Sequence, residues 1–156
     1  MKLVFLMSLF FCVTVTAQDL FKQRIRKLST RKKAIFLTNG IFHNGSIKRV
    51  ASLKKIRHSY SKKNKVERIV FDFNINKIPK VYGQIEGDKN RIRVALFDTE
   101  LGKSVQSLGD SHLVKNIDFF PLTNGILSTE ITFKTAISAD IFYLESYGRL
   151  VIDIKN

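Results

Sequence analysis

The residue types that most often carry catalysis are few and scattered in this chain of 156 residues. Its three histidines lie in separate segments, and no H-E-x-x-H or comparable metal-ligand spacing is present. Cys12 is the single cysteine, and the sequence contains neither a G-x-S-x-G nucleophile elbow nor a phosphate-binding loop. We therefore expect a protein that is not an enzyme and that has neither a metal site nor a cofactor.

Two short segments share one arrangement of charge. Residues 68–73 (RIVFDF) and residues 149–154 (RLVIDI) both read Arg, apolar, Val, apolar, Asp, apolar. In a strand this alternation places the charged side chains on the face away from the core. The simpler interpretation is cross-strand ion pairing on a solvated sheet face, worth about 0–1 kcal/mol per pair. The alternative is a binding face on which guanidinium groups contact a ligand.

Arginines and tyrosines on predicted strands are the candidates for ligand contact. Arginine offers a planar fork of donors to carboxylate and carbonyl oxygens. Tyrosine offers a flat face to a sugar ring, although packing in a core or an interface explains a tyrosine equally well. The candidate ligand-binding residues are Arg68, Arg91, Arg93, Arg149, Tyr82 and Tyr143.

The elements that must position these side chains are predicted to be short strands. Alternating segments separated by turn signals about every ten residues are typical of an all-β sandwich or barrel. The pentapeptide LTNGI occurs at residues 37–41 and again at 122–126, and both Asn-Gly pairs predict turns. The predicted strands cover residues 53–60, 68–73, 81–85, 91–97, 113–120, 127–134, 139–144 and 149–154.

The two halves of this region resemble each other. Leu53 aligns with Leu113, and the strands that follow align in order. In this alignment RIVFDF matches STEITFK at residues 128–134, while RLVIDI matches RIRVALF at residues 91–97. We expect a sandwich of two similar sheets that arose by internal duplication. The alternative is chance, because alternating β sequences slide easily into such a register.

The N-terminal third differs in composition from the rest. Residues 1–17 begin with Lys2, continue with an apolar stretch and end in Val-Thr-Ala, which predicts a secretory signal peptide. The apolar run is shorter than the ~18–20 residues that span a bilayer, so no stable transmembrane anchor is expected. Residues 18–45 are predicted to form a basic leader that is helical over part of its length, with a short hairpin predicted within residues 34–50. The folded domain is predicted to cover residues 46–156.

Charge is concentrated at the same end of the chain. The net charge is +14, and residues 18–66 hold 15 lysines and arginines against one acid. Residues 67–156 hold 11 against 12. A solvated basic leader explains this pattern, and so does contact with an anionic polymer such as lipid headgroups, wall polymer or nucleic acid.

The succession of motifs SLKKIRHSYS, ERIVFDFN, NRIRVALFD, LVKNIDF and GRLVIDI resembles the AMIN domain over residues 46–156. AMIN domains stand at the front of periplasmic N-acetylmuramoyl-L-alanine amidases and of some secretins. The resemblance implies a duplicated β-sandwich that binds peptidoglycan in the periplasm or cell envelope, with an envelope amidase or a secretin as a partner. Two alternatives stay open: a basic envelope protein that binds nucleic acid or another anionic polymer, and an interaction subunit of a secretin or pilus assembly.

Overall fold

Short β-strands make up most of the described chain, as the alternation of apolar residues predicts. The computed structural model describes residues 25–106, 108 and 111–156, so the predicted signal peptide at residues 1–17 and the start of the basic leader lie outside the described residues. The strands are β1 (Ile25–Lys27), β2 (Asn39–His43), β3 (Ala51–Ser61), β4 (Val66–Phe73), β5 (Val81–Glu86), β6 (Arg91–Phe97), β7 (Thr99–Leu101), β8 (Val114–Pro121), β9 (Ile126–Phe133), β10 (Ser138–Leu144) and β11 (Arg149–Lys155).

The strands form two sheets that enclose one core. The six-stranded sheet has the order β1-β2-β5-β6-β9-β8, and the five-stranded sheet has the order β10-β11-β4-β3-β7. Alternate side chains of both sheets point inward and are buried, among them Ile69 and Phe71 of β4, Ile92 of β6 and Ile131 of β9. The predicted all-β sandwich is confirmed.

The two sheets are built in the same way from the two halves of the chain. Exchanging β3, β4, β5 and β6 for β8, β9, β10 and β11 converts the order β10-β11-β4-β3 into β5-β6-β9-β8. Each sheet therefore contains two strands from each half, and β1, β2 and β7 are additions to this shared plan. The topology confirms the predicted internal duplication.

The registers refine the predicted alignment. Arg91 lies opposite Thr132, and Arg149 lies opposite Asp72, so the two arginines occupy equivalent positions as predicted. The pairing of β3 with β4 shifts just after Leu53, and that of β8 with β9 shifts at the equivalent place, just after Val114. Such a shared β-bulge is a detail that duplicated strands retain. Leu53 thus corresponds to Val114, one residue beyond its predicted partner.

The N-terminal segment belongs to the sandwich, which differs from the predicted boundary at residue 46. β1 pairs with β2, and β2 pairs with β5, so both strands extend the six-stranded sheet. Ile25 is 72% exposed and Leu28 is 4% exposed, whereas the predicted helix would place them on one stripe. Pairing with β2 satisfies the backbone hydrogen bonds of this segment and delivers Leu28 to the core, which a short exposed helix would not do.

The predicted hairpin within residues 34–50 is also wrong. Asn39 and Gly40, expected to form its turn, begin β2 and lie opposite Glu86 and Ile85 of β5. Residues 44–50 form a loop without a strand between β2 and β3. Pairing of β2 with the neighbouring sheet edge, rather than with a local partner, accounts for the difference.

A candidate ligand-binding groove

β4 and β11 lie side by side, and their shared charge pattern makes them complementary. The antiparallel register places the arginine of each strand opposite the aspartate of the other. Arg68 donates from Nε to Oδ1 of Asp153 at 2.6 Å and from Nη2 to Oδ2 at 2.8 Å. Arg149 donates from Nε to Oδ1 of Asp72 at 2.8 Å. The shared pattern of Arg and Asp therefore produces two ion pairs between neighbouring strands. It does not mark equivalent positions in the two halves of the chain.

Residues 28–37, which we call the strap, cross part of this outer sheet face. Isolated bridges join both ends of the strap to β10. Lys32 Nζ lies 2.8 Å from Oδ2 of Asp153, and the backbone N–H of Ala34 donates to Oδ2 of Asp140 at 2.8 Å. Both aspartate side chains are fully buried. The predicted solvated face is therefore wrong for Asp153, because the strap excludes water from it.

The ion pairs keep the carboxylates ionised. Burial by itself raises the pKa of Asp153, but hydrogen bonds from Arg68 and Lys32 outweigh it and hold the pKa below its usual value. The same balance applies to Asp72. Burial raises its pKa, but the contacts with Arg57 and Arg149 outweigh burial, and the pKa is lowered. Each carboxylate thus orients two cations, which fixes the guanidinium groups in space.

A groove of about 580 Å³ lies between the strap and the outer face of the five-stranded sheet, and we call it the arginine groove. Asp72 and Asp153 offset part of its positive charge, and an excess of cations remains. Its apolar lining consists of Val70, Phe142, Leu144 and Val151. Its cations are Arg31, Lys32, Arg57, Arg68 and Arg149.

A second cavity of about 460 Å³ continues the groove on the other side of Lys32. The two cavities share Lys32, Ser59 and Arg68, and the second also includes Asn64 and Lys155. Together they follow β4, whose eight residues span about 26 Å at the usual rise per residue. A surface of this length suits a linear ligand better than a single small anion.

The duplicated sheet offers an internal comparison. Four apolar positions of the groove have polar counterparts on the outer face of the six-stranded sheet, as the registers show. Val70, Phe142, Leu144 and Val151 correspond to Glu130, Gln84, Glu86 and Arg93 respectively. Because both faces have the same backbone plan, the apolar lining is a property of one face and not a requirement of the fold.

The structure divides the six predicted binding residues among three places. Arg68 and Arg149 line the groove together. Arg91, Arg93 and Tyr82 belong to the opposite face of the molecule, on the outside of the six-stranded sheet. Tyr143 is half-buried and packs against the core, where burial, with Glu145 adding to it, raises the pKa of its phenol.

Sequence reasoning did not assign Arg31, Lys32, Arg57 or Phe142 to the site. Arg57 lies in the predicted strand 53–60, but strict alternation from Leu53 would place it on the core side, and the β-bulge after Leu53 turns it outward. The two strap residues were not detectable as site residues, because their approach to β11 depends on tertiary contacts alone.

Glu86 organises the charges of the opposite face. Its carboxylate accepts hydrogen bonds from Arg91 Nε at 2.7 Å, Arg93 Nη2 at 2.6 Å and Lys89 Nζ at 3.2 Å. The bonds from Arg91 lower the pKa most, burial opposes them, and Arg93 and Lys89 add to the lowering, giving a pKa of about 2. Glu86 therefore pairs the cations at one end of this face, and Tyr82, Ala95 and Phe97 lie farther along it.

Acid is expected to destabilise the protein through these carboxylates. A pKa lowered by folding stabilises the native state above the unfolded pKa, and this contribution disappears as the pH falls from about 4.5 towards 2 for Glu86. We expect the free energy of unfolding, measured by urea denaturation, to fall through this range. Glu86→Gln should show a shallower fall than the wild type, and the exposed Glu100→Gln should follow the wild type. Parallel curves for Glu86→Gln and the wild type would contradict the assignment.

The described residues contain no group of three or more histidine, cysteine, aspartate or glutamate side chains that could hold a metal ion. His112 instead stacks on Tyr60, with ring centroids 3.8 Å apart. Within the same part of the chain, no helix has the length and hydrophobicity needed to cross a membrane.

No protein-family model, curated protein or solved structure matches the chain. The resemblance to the AMIN domain therefore stays a prediction that depends on the short motifs of the sequence.

Proposed function

We propose that the protein is an exported, non-catalytic component of the cell envelope that recognises peptidoglycan through the arginine groove. The observation that carries this proposal is the combination of an apolar lining with five cations in one groove, whereas the duplicated sheet has polar residues at the four positions equivalent to that lining. Peptide stems offer carboxylates and carbonyls to guanidinium groups, while alanine methyl groups and the apolar faces of sugar rings match the lining.

Two further features support binding to a polymer. The groove and its continuation extend along the length of β4, and the guanidinium groups are held in place by Asp72 and Asp153 before any ligand arrives. Preorganised donors lose little conformational freedom on binding. The signal peptide predicted at residues 1–17 and the AMIN-like motifs add the envelope location to the proposal, with an amidase or secretin as the partner protein.

Sedimentation with purified sacculi tests the groove directly. Arg31→Ala/Arg57→Ala removes two exposed groove cations, while Asp72 keeps Arg149 and the buried Asp153 keeps both of its partners. We expect this variant to bind sacculi about tenfold or more weakly, since charged hydrogen bonds contribute strongly to such contacts. The bound fraction at increasing sacculus concentration gives the affinity.

Lys89→Ala/Arg93→Ala is the matched control on the opposite face. It removes the same positive charge from exposed positions, and Glu86 keeps Arg91. We expect near wild-type sedimentation. Equal losses in the two variants would show that net charge, not the groove, drives binding. Absence of wild-type sedimentation, together with DNA affinity that falls steeply with salt, would favour the nucleic-acid alternative.

The described sheet edges give less support to a subunit that binds by strand addition. The long edge strand of the six-stranded sheet, β8, carries a bulge at Lys115 and ends at Pro121. Bulges, lysine and proline at an edge discourage pairing with another strand. The edge at β10 is covered by the strap, and β7 at the remaining edge of that sheet has three residues.

A further inference from the structure

One end of the sandwich gathers the loops that follow β2, β4, β8 and β10. We call this the loop end and define it as residues 44–50, 74–80, 122–125 and 145–148. Hydrogen bonds tie these loops to one another and to the β6–β7 turn: Gly148 N donates to Asn76 O at 2.8 Å, and Thr99 N donates to Gly125 O at 3.0 Å. Ser52 N donates to Oδ1 of Asn74 at 2.7 Å, which brings the start of β3 beside the loop after β4.

Exposed apolar side chains concentrate at this end. Eight large apolar residues of the described chain are exposed, and five of them lie in or beside the loop end. Val50 is 82% exposed, Ile47 70% and Tyr147 64%. The other two are Phe120 and Leu122. Such a concentration marks an interaction surface rather than scattered surface residues.

Basic residues alternate with these apolar residues. Residues 44–50 and 74–80 contain four cations and no acid, and Glu145 is the one acid in the four loops. Arg49, Val50, Ile75, Asn76 and Lys77 surround a shallow depression of about 300 Å³. The Nε atom of Arg49 is buried without a hydrogen-bond partner in the described protein. The four cations are Lys48, Arg49, Lys77 and Lys80.

We propose that the loop end docks on an anionic phospholipid surface. Ile47 and Val50 would enter the headgroup and acyl boundary, and the adjacent Lys48, Arg49 and Lys77 would contact lipid phosphates. Apolar tips flanked by lysine and arginine match the two layers of such an interface, because apolar groups gain from leaving water and cations gain from the negative surface potential. Since β4 ends and β11 begins at the loop end, the arginine groove between them would extend outward from the membrane.

A single tryptophan provides a site-specific test, because the chain contains no tryptophan of its own. Ile47→Trp and Val50→Trp place the reporter at the proposed contact. Ile35→Trp places it at an exposed apolar residue of the strap, next to Phe36, whose ring contacts Lys155 at the far end of β11. The purified proteins are mixed with vesicles of phosphatidylglycerol and phosphatidylcholine, or with vesicles of phosphatidylcholine alone.

We expect the proteins to float with the vesicles that contain phosphatidylglycerol, and the emission of Ile47→Trp and Val50→Trp to shift to shorter wavelength. The emission of Ile35→Trp should stay unchanged. Flotation without a shift at residues 47 and 50 would show adsorption through another basic surface and would overturn the proposal. A shift at residue 35 alone, or no flotation, would do the same.

Loss of the apolar tips gives a second readout. Ile47→Ser/Val50→Ser should weaken vesicle binding about tenfold or more, because it removes two largely exposed aliphatic groups without changing charge. Ile25→Ser/Ile35→Ser is the control and should bind as the wild type does. A protein that forms dimers through this end in the absence of lipid, detected by light scattering and abolished by Ile47→Ser/Val50→Ser, would assign the patch to self-association and overturn the lipid proposal.

Discussion

Removing both cations from Asp153 is expected to destabilise the fold by about 3–5 kcal/mol, the usual cost of leaving a buried charge without a partner. The variant is Lys32→Ala/Arg68→Ala, which leaves the Asp153 carboxylate, fully buried in the wild type, without either of its cations. Urea denaturation at neutral pH measures the loss. The difference from the wild type should shrink at acid pH, because protonation neutralises the stranded carboxylate.

A third substitution separates the charge from the packing. Adding Asp153→Asn to Lys32→Ala/Arg68→Ala should restore most of the lost stability, because the amide has the same shape and no charge. Arg57→Ala is the mild comparison: Asp72 keeps Arg149 and is partly exposed, so a loss of about 1 kcal/mol or less is expected. A triple variant as unstable as the double variant would refute the role assigned to Asp153.

The largest expected effect on binding comes from the groove lining. Val70 of β4 is equivalent to Glu130 of β9, so Val70→Glu gives the groove the residue type found on the opposite face. The new carboxylate would pair with the groove arginines and repel the carboxylates of peptide stems. We expect sacculus binding to fall about a hundredfold or more, since like charges at an interface cost several kcal/mol and about 1.4 kcal/mol corresponds to a factor of ten. The affinity comes from sedimentation, and the fold is checked by denaturation.

The reciprocal substitution controls for the position. Glu130→Val places the groove residue on the opposite face, where Glu86 keeps the arginines paired. Wild-type affinity is expected. If Val70→Glu, with an unchanged free energy of unfolding, binds sacculi as the wild type does, then the arginine groove is not the wall-binding surface.

Much of the sandwich was predictable because most of its strands place apolar residues on a two-residue period, which bulges interrupt in β3 and β8. The segments RIRVALF and RLVIDI begin at the first residue of β6 and β11, and each half of the duplication repeats this local pattern. The fold class, most strand positions and the outward direction of Arg68 and Arg149 follow from that period alone. The placement of the leader did not follow, since β1 and the strap are held by contacts with β2, β10 and β11 that no local pattern encodes.

The pentapeptide LTNGI shows where local information ends. At residues 122–126 its Asn-Gly pair forms the predicted turn, with Gly125 at a φ of 75°. At residues 37–41 the same pentapeptide forms the start of β2, because Asn39 and Gly40 pair with residues of β5. The sequence alone determined the strand period, the duplication and the separation of charge. Tertiary structure alone decided which strands became neighbours, because long-range pairing outweighs the small free-energy differences among local conformations. That choice set Arg68 beside Asp153, brought the strap over β11 and made one of two similar faces a groove.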